Sequence, residues 1–510
     1  MATTPLTTRP PARLRSPNPP PRPSPTPPLA QLPATPRPPS LGAPRRIASN
    51  FLSLSAAELA CRGTSVLVTL SLAKCLGKAG YGRIEFAFNV VFWLVLLVRN
   101  GCEVIAAREM ARHPRLVRPL VNHLIFVKIA LGVVLFAGLA IVGAVTLKDP
   151  ADRLLLTLYG LMVLTTAMGL DFVYRGMERM GLVAVSLYIR TAVYAVGVWF
   201  WVGDASRIAW VPAWLAAGEA CGIALVWYRY AREYGLPRPV LSRRFLGVFL
   251  RRCRPVLLIQ VAQTVLSSVD LMVVGLLRPW DDVGLYGAPH RMVAAALTFG
   301  MIFQQVVFPS LARSWRETPA AGRRALDALV RVLTLCLVPV AVGATVLSAP
   351  LVEALLPRSY ADGALLLALG IWRAPLLTLA FLYQTTLIAM NRETAGVRLL
   401  AAGAIGSGPL VALMLRGFGL PGAAFSLVVI ALALVAAGYG CLAREGRQPA
   451  WHHHLARPLA ASAVMVPACL ILVRWHVLAA VAGGALAYVV ALAAFGGLKR
   501  SELRIVLGRD

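Results

Sequence analysis

The sequence predicts an all-α integral membrane protein with about 14 transmembrane helices, arranged as two six-helix lobes followed by two C-terminal helices. Three observations carry that prediction. Apolar residues make up 58% of the 510-residue chain against 14% charged, and the mean hydropathy is +0.70, far from the roughly 45 to 50% apolar and about 25% charged of soluble domains. Apolar runs of about 20 residues, the length that crosses a bilayer, recur with short breaks from residue 51 to residue 497. Lys and Arg also alternate in density from one break to the next, with 35 on one side of the implied membrane and 10 on the other. That is the bias that orients polytopic proteins.

The elements follow in order. Residues 1–44 hold 16 of the 36 prolines and no aromatic, valine or isoleucine side chain, so they predict a disordered tail. No basic start followed directly by an apolar core marks a secretory signal. The predicted crossings are 51–73, 84–106, 120–146, 154–174, 181–202 and 208–228, then 255–277, 285–309, 329–355, 362–389, 395–415 and 420–442, and finally 457–473 and 477–497. Two longer breaks, an arginine-rich one at 229–254 and one at 443–456 carrying three histidines, divide the chain. The expected parts are a tail (1–44), an N-lobe (45–228), a basic cytoplasmic linker (229–254), a C-lobe (255–442), and a linker with two last helices (443–510). An echo supports the division: Gly80-Tyr81-Gly82 opens the second crossing, and Gly284-Leu285-Tyr286-Gly287 opens the eighth. Halves repeated in this way imply a site between them. The positive-inside bias puts both termini in the cytoplasm.

The net charge of +29 does not point to nucleic acid, because the arginines sit in short loops between apolar runs and not on a solvated basic face. The eight cysteines form no C-x-x-C pair and lie in or beside apolar runs, as small buried residues do. His452, His453 and His454 have no acidic or thiol neighbour, so no metal site is expected. No G-x-x-x-x-G-K-[ST] sequence is present, which argues against direct ATP hydrolysis.

Several motifs then fall in a telling order on this topology. The first half carries Leu76-Gly77 before Gly80-Tyr81-Gly82, NGCEVIAAREMAR (100–112) and DFVYRGMERM (171–180). The second half carries SSVDLMVVG (267–275), VGLYGAPHRM (283–292), FPSLAR (308–313), LLPRSYADGA (355–364) and GLPGAAFS (419–426). Over residues 46 to 445 the chain resembles the polysaccharide-exporter family of oligosaccharide flippases, within the superfamily that also holds multidrug exporters and the lipid II flippase. The resemblance implies two lobes around a central cavity and alternating access. It also implies an undecaprenyl-pyrophosphate-linked oligosaccharide as cargo, moved across a bacterial inner membrane for polysaccharide biosynthesis and export, alongside membrane lipids and polysaccharide-assembly proteins as partners. The two last helices fit the fourteen-helix form, in which such a pair forms a groove for a lipid tail. Asn100, where an acid is common, and the proline-rich tail depart from the family pattern.

Such a cargo needs fixed cations for its diphosphate, and arginine offers a planar fork of donors. Arg62, Arg190, Arg291 and Arg373 are the expected cavity cations, each with an internal ion pair as the alternative. Glu58 and Arg62, and likewise Arg99 and Glu103, have the i, i+4 spacing of a helical pair. Asp270, Glu219 and Glu58 are the candidate coupling carboxylates. Proton and sodium coupling both stay open, and no organic cofactor is expected. Gln260, Gln263, Gln304 and Gln384 are candidate sugar ligands, with interhelical hydrogen bonding as the alternative. Two other functions compete. A multidrug exporter would want an acidic, aromatic cavity. A membrane glycosyltransferase or polymerase would want carboxylates in sizeable outer loops, and the predicted outer loops are short, so an enzyme is not expected.

Overall fold

The computed structural model describes residues 43–99, 101–240, 242–449 and 451–496. All but the last two residues of the predicted tail lie outside the described residues. By its contacts the chain divides into residues 1–47 and 48–510, and the second of these units is the helical bundle.

Among the described residues the elements are helices, with no strand. They are α1 (Ala43–Arg99), α2 (Cys102–Arg112), α3 (Val117–Thr146), α4 (Pro150–Met168), α5 (Asp171–Gly176), α6 (Met180–Trp201), α7 (Trp210–Tyr234) and α8 (Arg243–Leu277). They continue as α9 (Trp280–Glu317), α10 (Pro319–Val346), α11 (Ser348–Leu355), α12 (Gly363–Gly370), α13 (Arg373–Ala389), α14 (Glu393–Arg444), α15 (Trp451–Leu472) and α16 (Val477–Ala494).

Two of these are too long for one crossing. At about 1.5 Å per residue a straight 57-residue α1 would be roughly 85 Å long, close to three times the apolar core of a bilayer. It folds at Gly77 (φ 66°, ψ −178°), a conformation that costs a side-chain-bearing residue dearly and glycine little. The 52-residue α14 folds in the same way at Gly419 (φ 66°). Eleven helical stretches are long and apolar enough to cross a membrane. Two of them, Ala60–Arg112 and Glu393–Arg444, each contain such a fold, and α9 adds a crossing between α8 and α10. The fourteen crossings that result match the fourteen predicted runs.

Local chemistry sets the ends. Asp149 caps α4 by accepting from the Ala151 amide, with Pro150 in the first turn. Thr318 caps α10 from Ala321, ahead of Pro319. Ser242 caps α8 from Phe245. Each satisfies an amide that a helix start would leave unpaired. Several boundaries differ from the reading of the sequence, among them the break of the run 329–355 at Leu347 and the helical start of α8 at Arg243 inside the expected linker. Residues 74–83, expected as a loop, stay helical apart from Gly77. The second crossing, expected to run to 106, stops at Arg99, because Gly101 turns left-handed (φ 63°) before α2 begins.

In the bundle α3 packs on α4, α6 on α7, α8 on α14, and α13 between α9 and α14. Tyr81, Val91, Val163, Leu400 and Tyr383 are sealed in the main core. Outward faces stay apolar, with Val145 80% and Ile405 77% exposed. Such faces suit acyl chains and would be a liability in water. The last pair, α15 and α16, is fastened to α10, where the Tyr488 hydroxyl donates to the Leu335 carbonyl (2.8 Å) and Met465, Cys469 and Ala480 cluster with Leu347.

Candidate functional site

The second limb of α1 (78–99) runs antiparallel to α8 and parallel to the start of α9, and this contact joins the first half of the sequence to the second. Small residues make it close. A Cβ at Gly82 would lie 2.1 Å from the Trp280 carbonyl oxygen, and one at Gly284 would lie 2.0 Å from that of Lys78. The two members of the sequence echo therefore meet face to face. Further along, Asn89 donates to the Ser268 carbonyl (3.1 Å) and Trp93 to the Ser268 hydroxyl (3.1 Å). At the far end Gly101 sits against Cys253 and Leu257.

Beside this seam lie two adjoining cavities of about 200 and 300 Å³ that share Glu85, Phe88 and Arg291. The smaller also meets Arg190, Glu219 and Tyr194, and the larger meets Arg62, Asn89, Ser268 and His290. Together they form a polar chamber lined by both halves of the chain.

Three of its groups are arginines, and their surroundings differ. Arg291, on α9, donates from Nε to the Glu85 carboxylate on α1 (2.8 Å), and its guanidinium stacks 4.6 Å over the Phe88 ring. Glu85 also accepts from the Tyr81 hydroxyl (2.6 Å). Arg190, on α6, forks between Asp171 (2.8 Å) and Glu219 (3.1 Å). Gly218 and Gly222 let α7 lie against it, since a Cβ at Gly222 would fall 2.4 Å from the Arg190 side chain. Arg62 is exposed and lines the larger cavity, and it makes no ion pair or hydrogen bond among the described residues. The charge of Glu58 reaches Arg62 across the predicted spacing, but among the described residues the two form no ion pair within 4 Å.

Arg373 stands elsewhere, which corrects its placement among the chamber cations. It is 3% exposed and donates to Asp270 (2.8 Å) inside the second half of the chain. Asp270 also accepts from the Tyr286 hydroxyl (2.6 Å), with the His290 ring nitrogen Nδ1 at 3.2 Å. Nδ1 is 3.4 Å from an Arg373 nitrogen as well. It donates to the carboxylate in one tautomer and accepts from the guanidinium in the other. Asp270 Oδ1 and Arg373 Nε are buried with no hydrogen-bond partner among the described residues, beside a void of about 10 Å³, roughly the room one water needs. His290 borders both this void and the larger cavity. It is the link between the sealed cluster and the chamber.

The remaining candidates separate further. Glu219 lines the smaller cavity as a partner of Arg190. Asp270 is buried away from the chamber, and Glu58 is half-buried and borders neither cavity. None of the four glutamines lines either cavity. Gln304 donates to the Thr378 carbonyl (2.9 Å), an interhelical bond. Gln384 is buried inside α13, Gln260 Oε1 is buried without a partner, and Gln263 is half-buried. Hydroxyls and Asn89 take their place on the chamber wall. Glu103, four residues from Arg99, pairs with Lys128 instead (2.7 Å), because the break at Gly101 destroys the helical register between the two. Side chains of 452–454 lie outside the described residues, and among the described residues no group of three or more His, Cys, Asp or Glu side chains could hold a metal ion.

Glu85, Tyr81, His290 and Tyr286 escaped the sequence reading. Tyr81, in the echo motif, and Glu85, beyond it, stand at i, i+4, which was a usable signal. The reach of Tyr286 and His290 back to Asp270 was not.

Fourteen crossings around a polar chamber between two halves define a multi-span membrane protein, and known structures share this fold. The structure is similar to that of the Lipid II flippase MurJ in an inward closed conformation (TM-score 0.68, 13% identity, covering 87% of this chain and 98% of that one). It is also similar to an inward-facing multidrug resistance MATE family transporter of the MOP superfamily (TM-score 0.61, 11% identity, 76% and 94% covered). A third likeness is to the MATE multidrug transporter DinF-BH (TM-score 0.57, 14% identity, 79% and 96% covered). The chain belongs to the polysaccharide biosynthesis protein family, which matches residues 47–315. No curated protein matches it in sequence.

Proposed function

We propose that this protein flips an undecaprenyl-pyrophosphate-linked oligosaccharide across a bacterial inner membrane for polysaccharide assembly, with both termini cytoplasmic. The lobes would be residues 45–228 and 255–442, rocking about the chamber in alternating access. The observation that carries this reading is the chamber itself: Arg62, Arg190 and Arg291 face one polar space bounded by both halves. Guanidinium groups match a diphosphate through paired donors, while Asn89, Ser268 and nearby hydroxyls suit a saccharide. Membership of a polysaccharide biosynthesis family supports the same cargo class.

Coupling belongs, in this reading, to the Asp270 cluster. Arg373 already neutralises Asp270, and His290 joins that pair to the chamber wall. Binding of a free metal cation at Asp270 would require displacing a buried guanidinium, so protons are favoured over sodium.

The test is a proteoliposome assay with purified protein and a fluorescent undecaprenyl-pyrophosphate saccharide, scored by quenching of label reaching the far leaflet. Transfer of this lipid, without uptake of a cationic dye, supports the reading. Dye transport without lipid transfer would point to the multidrug alternative.

A further inference from the structure

Before any cargo enters, the chamber is electrically balanced. Arg62, Arg190 and Arg291 stand against Glu85, Glu219 and Asp171, the last reaching Arg190 from behind. An anionic cargo therefore meets carboxylates already holding two of the three guanidiniums. The two held groups are not equivalent. Arg190 is bound on both terminal nitrogens by its own half of the chain. Arg291 gives only Nε, to a carboxylate from the other half, and its side chain is 33% exposed against 4% for Glu85.

We infer that Glu85 is a tethered counter-anion that a cargo phosphate displaces from Arg291, so that cargo binding itself releases a partly buried ion pair between the two halves. Phosphate first meets the open edge of the Arg291 guanidinium. Its charge then repels the neighbouring carboxylate in a confined site where water screens poorly. The geometry supplies a resting place for the displaced group. Tyr81, one helical turn away on the same limb, already donates to Glu85 at 2.6 Å, so the carboxylate keeps a partner once Arg291 turns to the cargo. Phe88 continues to hold the face of the guanidinium. A further ion pair among the described residues, from Arg252 at the start of α8 to Glu109 at 3.9 Å, has its arginine 67% exposed and would hold little in water.

The inference rests on the proposal that the cargo carries a diphosphate, and one experiment separates the two. Inorganic pyrophosphate is titrated calorimetrically into the full-length protein in nanodiscs. Glu85→Gln should bind it roughly ten-fold more tightly than wild type, about 1.4 kcal/mol, because the competing charge is gone. Tyr81→Phe should bind it several-fold more weakly, because the displaced carboxylate loses its partner. Arg291→Ala should bind least. General damage to the fold would weaken all of these, so the opposite signs for Glu85→Gln and Tyr81→Phe are the signature. If wild type binds pyrophosphate through Arg291 and Glu85→Gln is unchanged or weaker, the displacement idea fails alone. If neither wild type nor Glu85→Gln binds pyrophosphate, the diphosphate reading of the chamber fails with it.

Discussion

Arg373 and Asp270 are 103 residues apart in sequence, yet they form a 2.8 Å ion pair with both side chains at most 3% exposed. This pair ties α13 to α8. Tyr286 and His290 complete the cluster from α9.

Breaking that pair from one side should destabilise the protein far more than removing it whole. An uncompensated charge at a site this dry costs about 3 to 5 kcal/mol, whereas loss of both partners is often near neutral. Asp270→Ala and Arg373→Ala should each lower the midpoint of thermal unfolding in detergent. The double variant should recover most of the loss.

The glycine contact of the seam predicts a steric effect. In Gly82→Ala and Gly284→Ala the new methyl group meets backbone oxygen at 2.1 and 2.0 Å, so the helices must separate. Both variants should show a larger spin-label distance between residues flanking the contact, and lower stability. Gly63→Ala, where nothing lies within 4 Å, should be neutral or gain up to about 1 kcal/mol from helix propensity.

At Gly419 the effect is conformational. The nearest atom to an added Cβ is 3.9 Å away, but φ is +66°, so Gly419→Ala should cost roughly 1 to 2 kcal/mol through the left-handed backbone alone. Chemical denaturation would report it. A larger loss would show that the fold of α14 at this point depends on more than glycine.

Arg190 predicts a difference between two cations. Lysine at this position keeps the charge but presents a point donor in place of a fork. Arg190→Lys should therefore hold one of Asp171 and Glu219 and leave the other short of a partner, lowering the unfolding midpoint. Arg190→Leu should lower it further.

Much of this architecture was legible in the sequence because it follows from local rules. Apolar runs marked the crossings, and glycines at 77 and 419 stand where two long helices fold. The paired echo motif did mark a meeting point of the halves, with Gly82 against Gly284 as its physical content. Partner choice among charges was not local. The i, i+4 rule suggested Glu58 with Arg62 and Arg99 with Glu103. Arg62 instead opens to the chamber, and Glu103 turns to Lys128, 25 residues on. Arg373 had no acid within a helical turn, and its partner came from another helix. Which face of α9 carried His290 and which Arg291 could be read only once the flanking helices were in place. These two consecutive residues serve different sites, one the Asp270 cluster and one the Glu85 pair.

The central claim is that chamber-facing guanidinium groups receive the cargo's diphosphate, and Arg62 tests it most cleanly because it holds no partner among the described residues. The measurement is the initial rate of lipid-linked saccharide transfer in proteoliposomes for Arg62→Gln, alongside its unfolding midpoint. The account predicts a rate at least about ten-fold lower, equivalent to about 1.4 kcal/mol of lost cargo binding, with stability unchanged. A wild-type rate in Arg62→Gln would contradict it.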